Sequence, residues 1–101
     1  MQVSGKIVVV TGGATGIGRA LCEAFHQAGA AKVIVADINA AGARVVAASI
    51  DGAAFKCDVA QEKDILHVIE ETERLFGPIA LFCSNAGIGA EIGRASCRER
   101  V

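Results

Sequence analysis

The chain has 101 residues, with 10 basic and 11 acidic side chains and a formal net charge of -1. This length supports one small domain at most, or part of a larger one. The balanced charge offers no basic surface for nucleic acid, and no apolar run approaches the roughly 18 residues of a membrane helix. We therefore expect no nucleic-acid partner and no membrane partner. The chain contains no tyrosine, so no tyrosine general base can act from it.

The cysteine pattern argues against a metal site and against a redox motif. The four cysteines are Cys22, Cys57, Cys83 and Cys97. No two of them lie at C-x-x-C spacing, and neither histidine lies at ligand spacing from a cysteine, which excludes zinc and thioredoxin-type interpretations. We predict free, mostly buried thiols in a reducing compartment, with the cytoplasm as the location.

Apolar runs typical of buried strands alternate with helical stripes along the chain. Strands are predicted over Ile7–Val10, Lys32–Ala36, Ala53–Cys57 and Ile79–Cys83. Helices are predicted from Ile17 to a Gly29 cap, from an Asn39 cap to Ser49, and from Gln61 to Phe76 before Gly77-Pro78. The order βαβαβαβ with short connections predicts an α/β fold, a doubly wound parallel sheet of order 3-2-1-4 that is truncated after the fourth strand.

Two loops of small residues mark a candidate ligand site in this fold. Sheets of this kind bind ligands at the carboxyl ends of the strands where the strand order reverses, here between the first and fourth strands. Those strands end in the loops Thr11–Gly18 and Asn85–Gly89. Glycines between a strand and a helix allow a phosphate to approach backbone N–H groups, although they can also serve a tight turn alone.

A phosphate-binding P-loop is the nearest alternative for the first loop. Gly13 and Gly18 have the required four-residue gap, but Arg19 and Ala20 stand where the motif needs Lys and Ser or Thr. Without those side chains, hydrolysis of a nucleoside triphosphate is not predicted.

Four motifs at strand ends together resemble the short-chain dehydrogenase/reductases. T-G-x-x-x-G-x-G follows the first strand, an acid the second, Asp-Val the third and Asn-Ala-Gly the fourth, with Ser84 in place of the Asn that often opens the last motif. The resemblance covers about residues 1–90 and implies a partial Rossmann-like NAD(P)-binding domain there. It also implies an oxidoreductase that transfers hydride between a secondary alcohol or ketone and NAD, and a homo-oligomeric full-length protein. A non-catalytic dinucleotide-binding module or redox sensor is the alternative.

The resemblance assigns cofactor-binding roles to residues in all four motifs. Asp37 lies 19 residues beyond Gly18, close to the separation at which an acid binds an adenosine ribose, and with non-basic neighbours it predicts NAD over NADP. Asp58 and Val59 would meet the adenine through the carboxylate and a backbone amide. Helix capping by Asp37 or Asp58 and a loop-closing turn at Asn85 remain open alternatives. The full set is Gly12, Thr15, Gly16, Ile17, Gly18, Asp37, Ile38, Asp58, Val59, Asn85, Ala86 and Gly87.

The family's catalytic residues have no counterpart in this chain. Its catalytic Ser, its Tyr-x-x-x-Lys pair and an assisting Asn all lie downstream of the Asn-Ala-Gly motif. We assign no catalytic residue and expect the chain itself to be inactive.

Residues 91–101 abandon the strand-helix rhythm. They carry three arginines in seven positions, and from Ile92 onward they resemble the translation of a common sequencing adapter. We therefore expect a non-native tail that is disordered or weakly attached, and an open apolar edge on the fourth strand. Removal of the tail after Ala90 is expected to change stability by less than about 0.5 kcal/mol.

Overall fold

The computed structural model describes residues 3–85 and 96–99, the latter by their backbone alone. The described residues form five strands and three helices. Strands and helices alternate up to the fourth strand, and the fifth strand is the next described element after it. In chain order they are β1 Ile7–Thr11, α1 Gly16–Gln27, β2 Lys32–Asp37, α2 Ala40–Ser49, β3 Ala53–Lys56, α3 Glu62–Phe76, β4 Ile79–Ser84 and β5 Ser96–Glu99. The first seven elements confirm the predicted order, with boundaries within about two residues of those expected.

The sheet has the order β3-β2-β1-β4-β5, and β1 to β4 are mutually parallel wherever they pair. This confirms the predicted 3-2-1-4 arrangement. β1 lies in the centre, and its three valines, Val8, Val9 and Val10, are fully buried. Because successive strand residues point to opposite faces, Val8 and Val10 belong to one core cluster and Val9 to the other. Helices cover both faces, which explains why β1 is an uninterrupted apolar run.

Short-range hydrogen bonds end α1 and begin α2 at the residues that the sequence predicts. After α1, Gly29 has φ +91°, its N–H donates to His26 O at 3.0 Å, and the N–H of Ala30 donates to Phe25 O at 3.1 Å. This pair of bonds is a Schellman motif, and the positive φ is one that glycine adopts without steric cost. Asn39 caps α2 by accepting a bond from the Gly42 N–H at 3.0 Å.

The sheet continues beyond β4, and the expectation of a disordered tail is wrong for residues 96–99. β5 pairs antiparallel with β4, with Leu81 opposite Glu99 and Ser84 opposite Ser96. An edge strand presents free N–H and C=O groups that any extended backbone can satisfy, whatever its side chains. The predicted open edge of β4 is therefore occupied in the structure. Whether residues 91–101 are native to the protein stays a prediction.

Among residues 3–85, Cys83 departs from the expectation of free thiols. Cys22 and Cys57 are free and buried, as predicted, but Cys83 is disulfide-bonded. Cys83 lies on β4, and its Cα is paired with that of Cys97 in the β4–β5 register.

Candidate cofactor-binding site

The loops that follow β1 and β4 are tied together by Thr11 and Asn85. The Asn85 N–H donates to Thr11 Oγ1 at 3.2 Å and to Thr11 O at 3.3 Å, while Asn85 Nδ2 donates to Gly12 O at 3.3 Å. The Thr11 hydroxyl in turn donates to Cys83 O at 3.4 Å. These bonds join residues more than 70 positions apart, so the structure brings Asn85, the first residue of the second predicted loop, against the first loop.

Thr11 was not among the predicted site residues. Its side chain is buried, with 1 % exposure, and it closes the apolar strand β1 with a hydroxyl. The sequence did contain a signal for its role in joining β1 to the residues after β4. Thr11 is a polar residue at the end of a buried strand, directly before the glycine loop.

The glycine loop is packed too closely to admit side chains at two positions. A Cβ on Gly18 would overlap Gly12 O and Asn85 Nδ2, and a Cβ on Gly12 would overlap Asn85 O. Gly12 also has φ +67°, which disfavours other residues. The glycines therefore serve the close approach of the two loops as well as the turn itself.

Backbone N–H groups at the N-terminus of α1 form one part of the candidate site. Thr15 is the N-cap residue but makes no side-chain cap bond, and the first turn contains no acidic residue. Among residues 3–85 and 96–99, the N–H groups of Thr15, Gly16 and Ile17 reach no protein acceptor, and all three residues are exposed. Exposed N–H groups and the positive end of a helix dipole together fit an anionic phosphate group.

The Asp37 carboxylate lies at the end of β2 and is held from two sides. Its Oδ2 accepts a bond from the Ala14 N–H at 3.0 Å, and its Oδ1 accepts one from the Asn39 N–H at 2.9 Å. Asn39, and not Asp37, caps α2, so the helix-capping alternative for Asp37 is wrong. Each carboxylate oxygen keeps a second lone pair for a ligand. The adjacent side chain, Ile38, is 61 % exposed.

Asp58 and Val59 lie in the turn between β3 and α3, half-buried. Asp58 Oδ1 accepts a bond from the Ala60 N–H at 3.0 Å, and the Asp58 N–H donates to Asp64 Oδ2 at 3.0 Å. The N-cap residue of α3 is Gln61, so Asp58 closes an Asx turn before the helix rather than capping it. Asp64 was not predicted, and only its position in the first turn of an acidic helix start could have indicated it.

Burial disfavours the thiolate form of the two free thiols that the structure describes, Cys22 and Cys57. Burial, followed by the charge of Glu23, raises the pKa of Cys22 to about 12. Burial also raises the pKa of Cys57, and the carboxylates of Asp64, Asp58 and Asp37 raise it further, in that order. Because the thiolate is the nucleophilic form, neither residue is suited to covalent chemistry at neutral pH.

Two of the predicted cofactor-binding residues, Ala86 and Gly87, lie outside the residues that the structure describes. Among those that are described, no three His, Cys, Asp or Glu side chains are grouped to hold a metal ion. Within the same residues, none of the helices has the length and apolar character needed to cross a membrane.

Comparison with known proteins agrees with the geometry. A family profile described as short chain dehydrogenase matches residues 6–99. The chain is 49 % identical over 89 residues to 2,5-dichloro-2,5-cyclohexadiene-1,4-diol dehydrogenase of Sphingobium indicum, covering 86 % of this chain and 35 % of that protein. The chain spans about a third of the length of the curated relatives it matches.

Two crystal structures from Brucella melitensis share the fold. One, described as a ribose-5-phosphate isomerase, superposes with a TM-score of 0.80 at 33 % identity over 86 % of this chain and 34 % of that one. The other, 3-ketoacyl-(acyl-carrier-protein) reductase complexed with NADH, gives 0.73 at 31 % identity over 77 % and 33 %. The glycine loop after β1, the acidic residue at the end of β2 and the family profile all point to the same family. This chain belongs to the short-chain dehydrogenase family.

Proposed function

We propose that the chain is the cofactor-binding part of an NAD-dependent oxidoreductase that acts on a secondary alcohol or ketone. The observation that carries the proposal is the Asp37 carboxylate, held at the end of β2 beside the glycine loop. The dehydrogenase name of one relative and the NADH complex of one structural neighbour support the same reaction class.

The diphosphate of the dinucleotide would lie at the start of α1. Gly12 and Gly18 allow the backbone of the loop, the start of α1 and Asn85 to pack closely at this point. Within residues 3–85 and 96–99, the N–H groups of Thr15, Gly16 and Ile17 reach no protein acceptor and can serve as donors to the diphosphate. Backbone N–H groups at a helix N-terminus stabilise phosphate charge without a lysine. Asn85, with Ala86 and Gly87 after it, would line the ribose side of the crevice.

Asp37 would set the preference for NAD over NADP. A ribose hydroxyl can donate to its carboxylate, and a hydrogen bond to a charged group contributes roughly 1.5–3 kcal/mol. A 2′-phosphate would meet a like charge instead, and Ala14, Ile38 and Asn39 offer no cation to compensate. Arg19 is the basic residue that directly follows the glycine loop, and its guanidinium pairs with Glu23 on the exposed face of α1 at 3.3 Å.

In this proposal, the residues of this chain bind and orient the dinucleotide cofactor. They do not exchange a proton with the substrate. When bound, the nicotinamide ring supplies or accepts the hydride. The family resemblance implies a tyrosine as the acid-base group, and no tyrosine occurs in the 101 residues. We therefore place that group in the portion of the relatives' length that this chain does not span. Alone, the chain would act as a nucleotide-binding module without turnover. We propose that the full-length protein is a homo-oligomer in the cytoplasm.

Isothermal titration of the 101-residue chain with NAD⁺ and NADP⁺ tests the binding half of the proposal. We expect NAD⁺ to bind at least about tenfold more tightly, consistent with one lost charged hydrogen bond. The catalytic half of the proposal is tested by measuring alcohol-dependent NADH formation. We expect the full-length protein to form NADH and the 101-residue chain alone to form none. Equal affinities for the two cofactors, or turnover by the chain alone, would contradict the proposal.

A further inference from the structure

Asp64 makes a contact that helix capping does not explain. It is the third residue of α3, and its Oδ2 accepts a bond from the N–H of Asp58, six residues earlier, at 3.0 Å. Acids in the first turn of a helix commonly reach back to the N-cap residue. Here the carboxylate passes the N-cap residue, Gln61, which makes no side-chain cap bond, and binds the turn that precedes the helix.

This contact closes a turn that is already bonded at two other points. The Ala60 N–H donates to Asp58 Oδ1 at 3.0 Å, and the Gln61 N–H donates to Asp58 O at 2.8 Å. With the bond to Asp64, both main-chain groups of Asp58 and one of its carboxylate oxygens are engaged. Asp64 therefore holds the one main-chain N–H of Asp58, and the other two bonds hold its carbonyl and one carboxylate oxygen.

Two consecutive residues of the turn, Asp58 and Val59, carry an acceptor and a donor that the bonds above do not use. Within residues 3–85 and 96–99, no protein donor reaches Asp58 Oδ2, and the Val59 N–H has no protein acceptor. An adenine edge presents an amino donor beside a ring-nitrogen acceptor, which is the complementary pattern. Hypoxanthine presents the reverse pattern, a carbonyl oxygen beside a ring N–H.

We propose that Asp64 is a positioning residue for adenine recognition, acting through Asp58. The inference rests on the proposed function, because it assumes that a dinucleotide lies across this turn. The Asp64 carboxylate fixes the Asp58 backbone, and the fixed backbone aims the remaining oxygen and the Val59 N–H at the base. Without Asp64 the turn loses one of its three closing bonds, and the donor and acceptor lose their common alignment.

The test compares NAD⁺ with its hypoxanthine analogue, using the whole 101-residue chain and isothermal titration. We expect the wild type to prefer NAD⁺ and Asp64→Ala to reduce that preference at least about fivefold, through lost NAD⁺ affinity alone. Asp64→Asn keeps an oxygen acceptor for the Asp58 N–H and should retain most of the preference. Glu62→Ala is the matched control, since it removes an exposed acid from the same helical turn without touching Asp58.

A role confined to stability would weaken both ligands equally in Asp64→Ala, and that result would overturn the inference. It would also be overturned if Asp64→Asn behaved like Asp64→Ala, because the retained acceptor would then have no effect. Circular dichroism checks that each variant is folded. If the alanine variant does not fold, Asp64→Leu takes its place, because leucine has a similar size and offers no acceptor to the Asp58 N–H. A folded wild type that binds neither nucleotide would instead contradict the proposed function.

Discussion

The carboxylate of Asp37 accepts a hydrogen bond from the N–H of Ala14, at 3.0 Å and across 23 residues. This bond joins the end of β2 to the glycine loop before any nucleotide is considered. The same carboxylate binds the Asn39 N–H at the start of α2, so one side chain connects three segments of the site. Asp37 therefore positions the loop as well as offering oxygens to a ribose.

Asp37→Asn should be nearly as damaging as Asp37→Ala, although asparagine is nearly the same size as aspartate. The amide has one oxygen for two backbone N–H groups, so its NH₂ must face either Ala14 or Asn39, a donor against a donor. We expect a loss of about 1–2 kcal/mol in the free energy of unfolding without ligand. Urea denaturation of the three proteins measures it, and an unchanged stability of Asp37→Asn would disprove the bridging role.

The same position should control cofactor preference in the full-length protein. Asp37→Ala is expected to weaken NAD⁺ and narrow its advantage over NADP⁺, since the like charge facing a 2′-phosphate is gone. Adding Ile38→Arg to it should shift the preference toward NADP⁺, because the exposed side chain at this position can reach solvent-facing phosphate. The measurement is kcat/KM for both cofactors. Equal efficiencies in the wild type would rule out the assignment.

Gly18→Ala should weaken both folding and nucleotide binding. Alanine in a helix usually stabilises it, but here the new Cβ would overlap Gly12 O and Asn85 Nδ2. We expect a destabilisation of about 1–3 kcal/mol from overpacking, with weaker NAD⁺ binding in titration. Gly5→Ala is the control: its φ of +74° makes alanine unfavourable, but nothing lies within 4 Å, so nucleotide affinity should be unchanged.

Thr72→Val should stabilise the protein. Thr72 is fully buried on α3, and its hydroxyl has no hydrogen-bond partner among the described residues. An unsatisfied buried polar group costs about 1–3 kcal/mol, and valine has the same branched shape without it, so we expect a gain near 1 kcal/mol. Thr72→Ser keeps the hydroxyl and loses the methyl group, so it should destabilise. A valine variant less stable than the wild type in urea would show that the hydroxyl has a partner.

Stability should fall as pH rises above 9, partly through Cys22. Burial raises the pKa of this thiol from 9.0 to about 12, so between those values the unfolded chain releases a proton that the folded chain retains. The contribution is complete below pH 9 and is lost toward pH 12, with a slope of at most about 1.4 kcal/mol per pH unit. Urea unfolding from pH 8 to 11 should show a shallower decline for Cys22→Ala. An identical slope would place the titration elsewhere.

A chain ending at Ala90 should be less stable and should self-associate. Removing β5 exposes the backbone donors and acceptors of β4, contrary to the small effect expected for a detached tail. Several ladder hydrogen bonds, at about 0.5–1.5 kcal/mol each, predict a loss above about 1 kcal/mol. Light scattering and urea unfolding measure both effects. Repeating both measurements on the full chain with reductant shows the contribution of the Cys83 disulfide separately from that of the β4–β5 hydrogen bonds. If the chain ending at Ala90 were as stable as the full chain, β5 would contribute nothing to stability.

The amino-acid sequence by itself determined the element order and the place of the site. Strand and helix periods, the Gly29 cap and the Gly77-Pro78 stop are local, since each depends on residues within a few positions. The family motifs added the functional class, because Gly12 and Gly18 lie between β1 and the first turn of α1 and Asp37 ends β2, at strand ends that the predicted topology already brought together.

Only the tertiary structure decided which groups are partners. The bond from Asn85 to Thr11 spans 74 residues, and that from Ala14 to Asp37 spans 23. Such pairs depend on where the folded backbone places each N–H and C=O, which no local pattern encodes. β5 is the extreme case: its side chains predicted no strand, and the unpaired edge of β4 supplied the partner that made one.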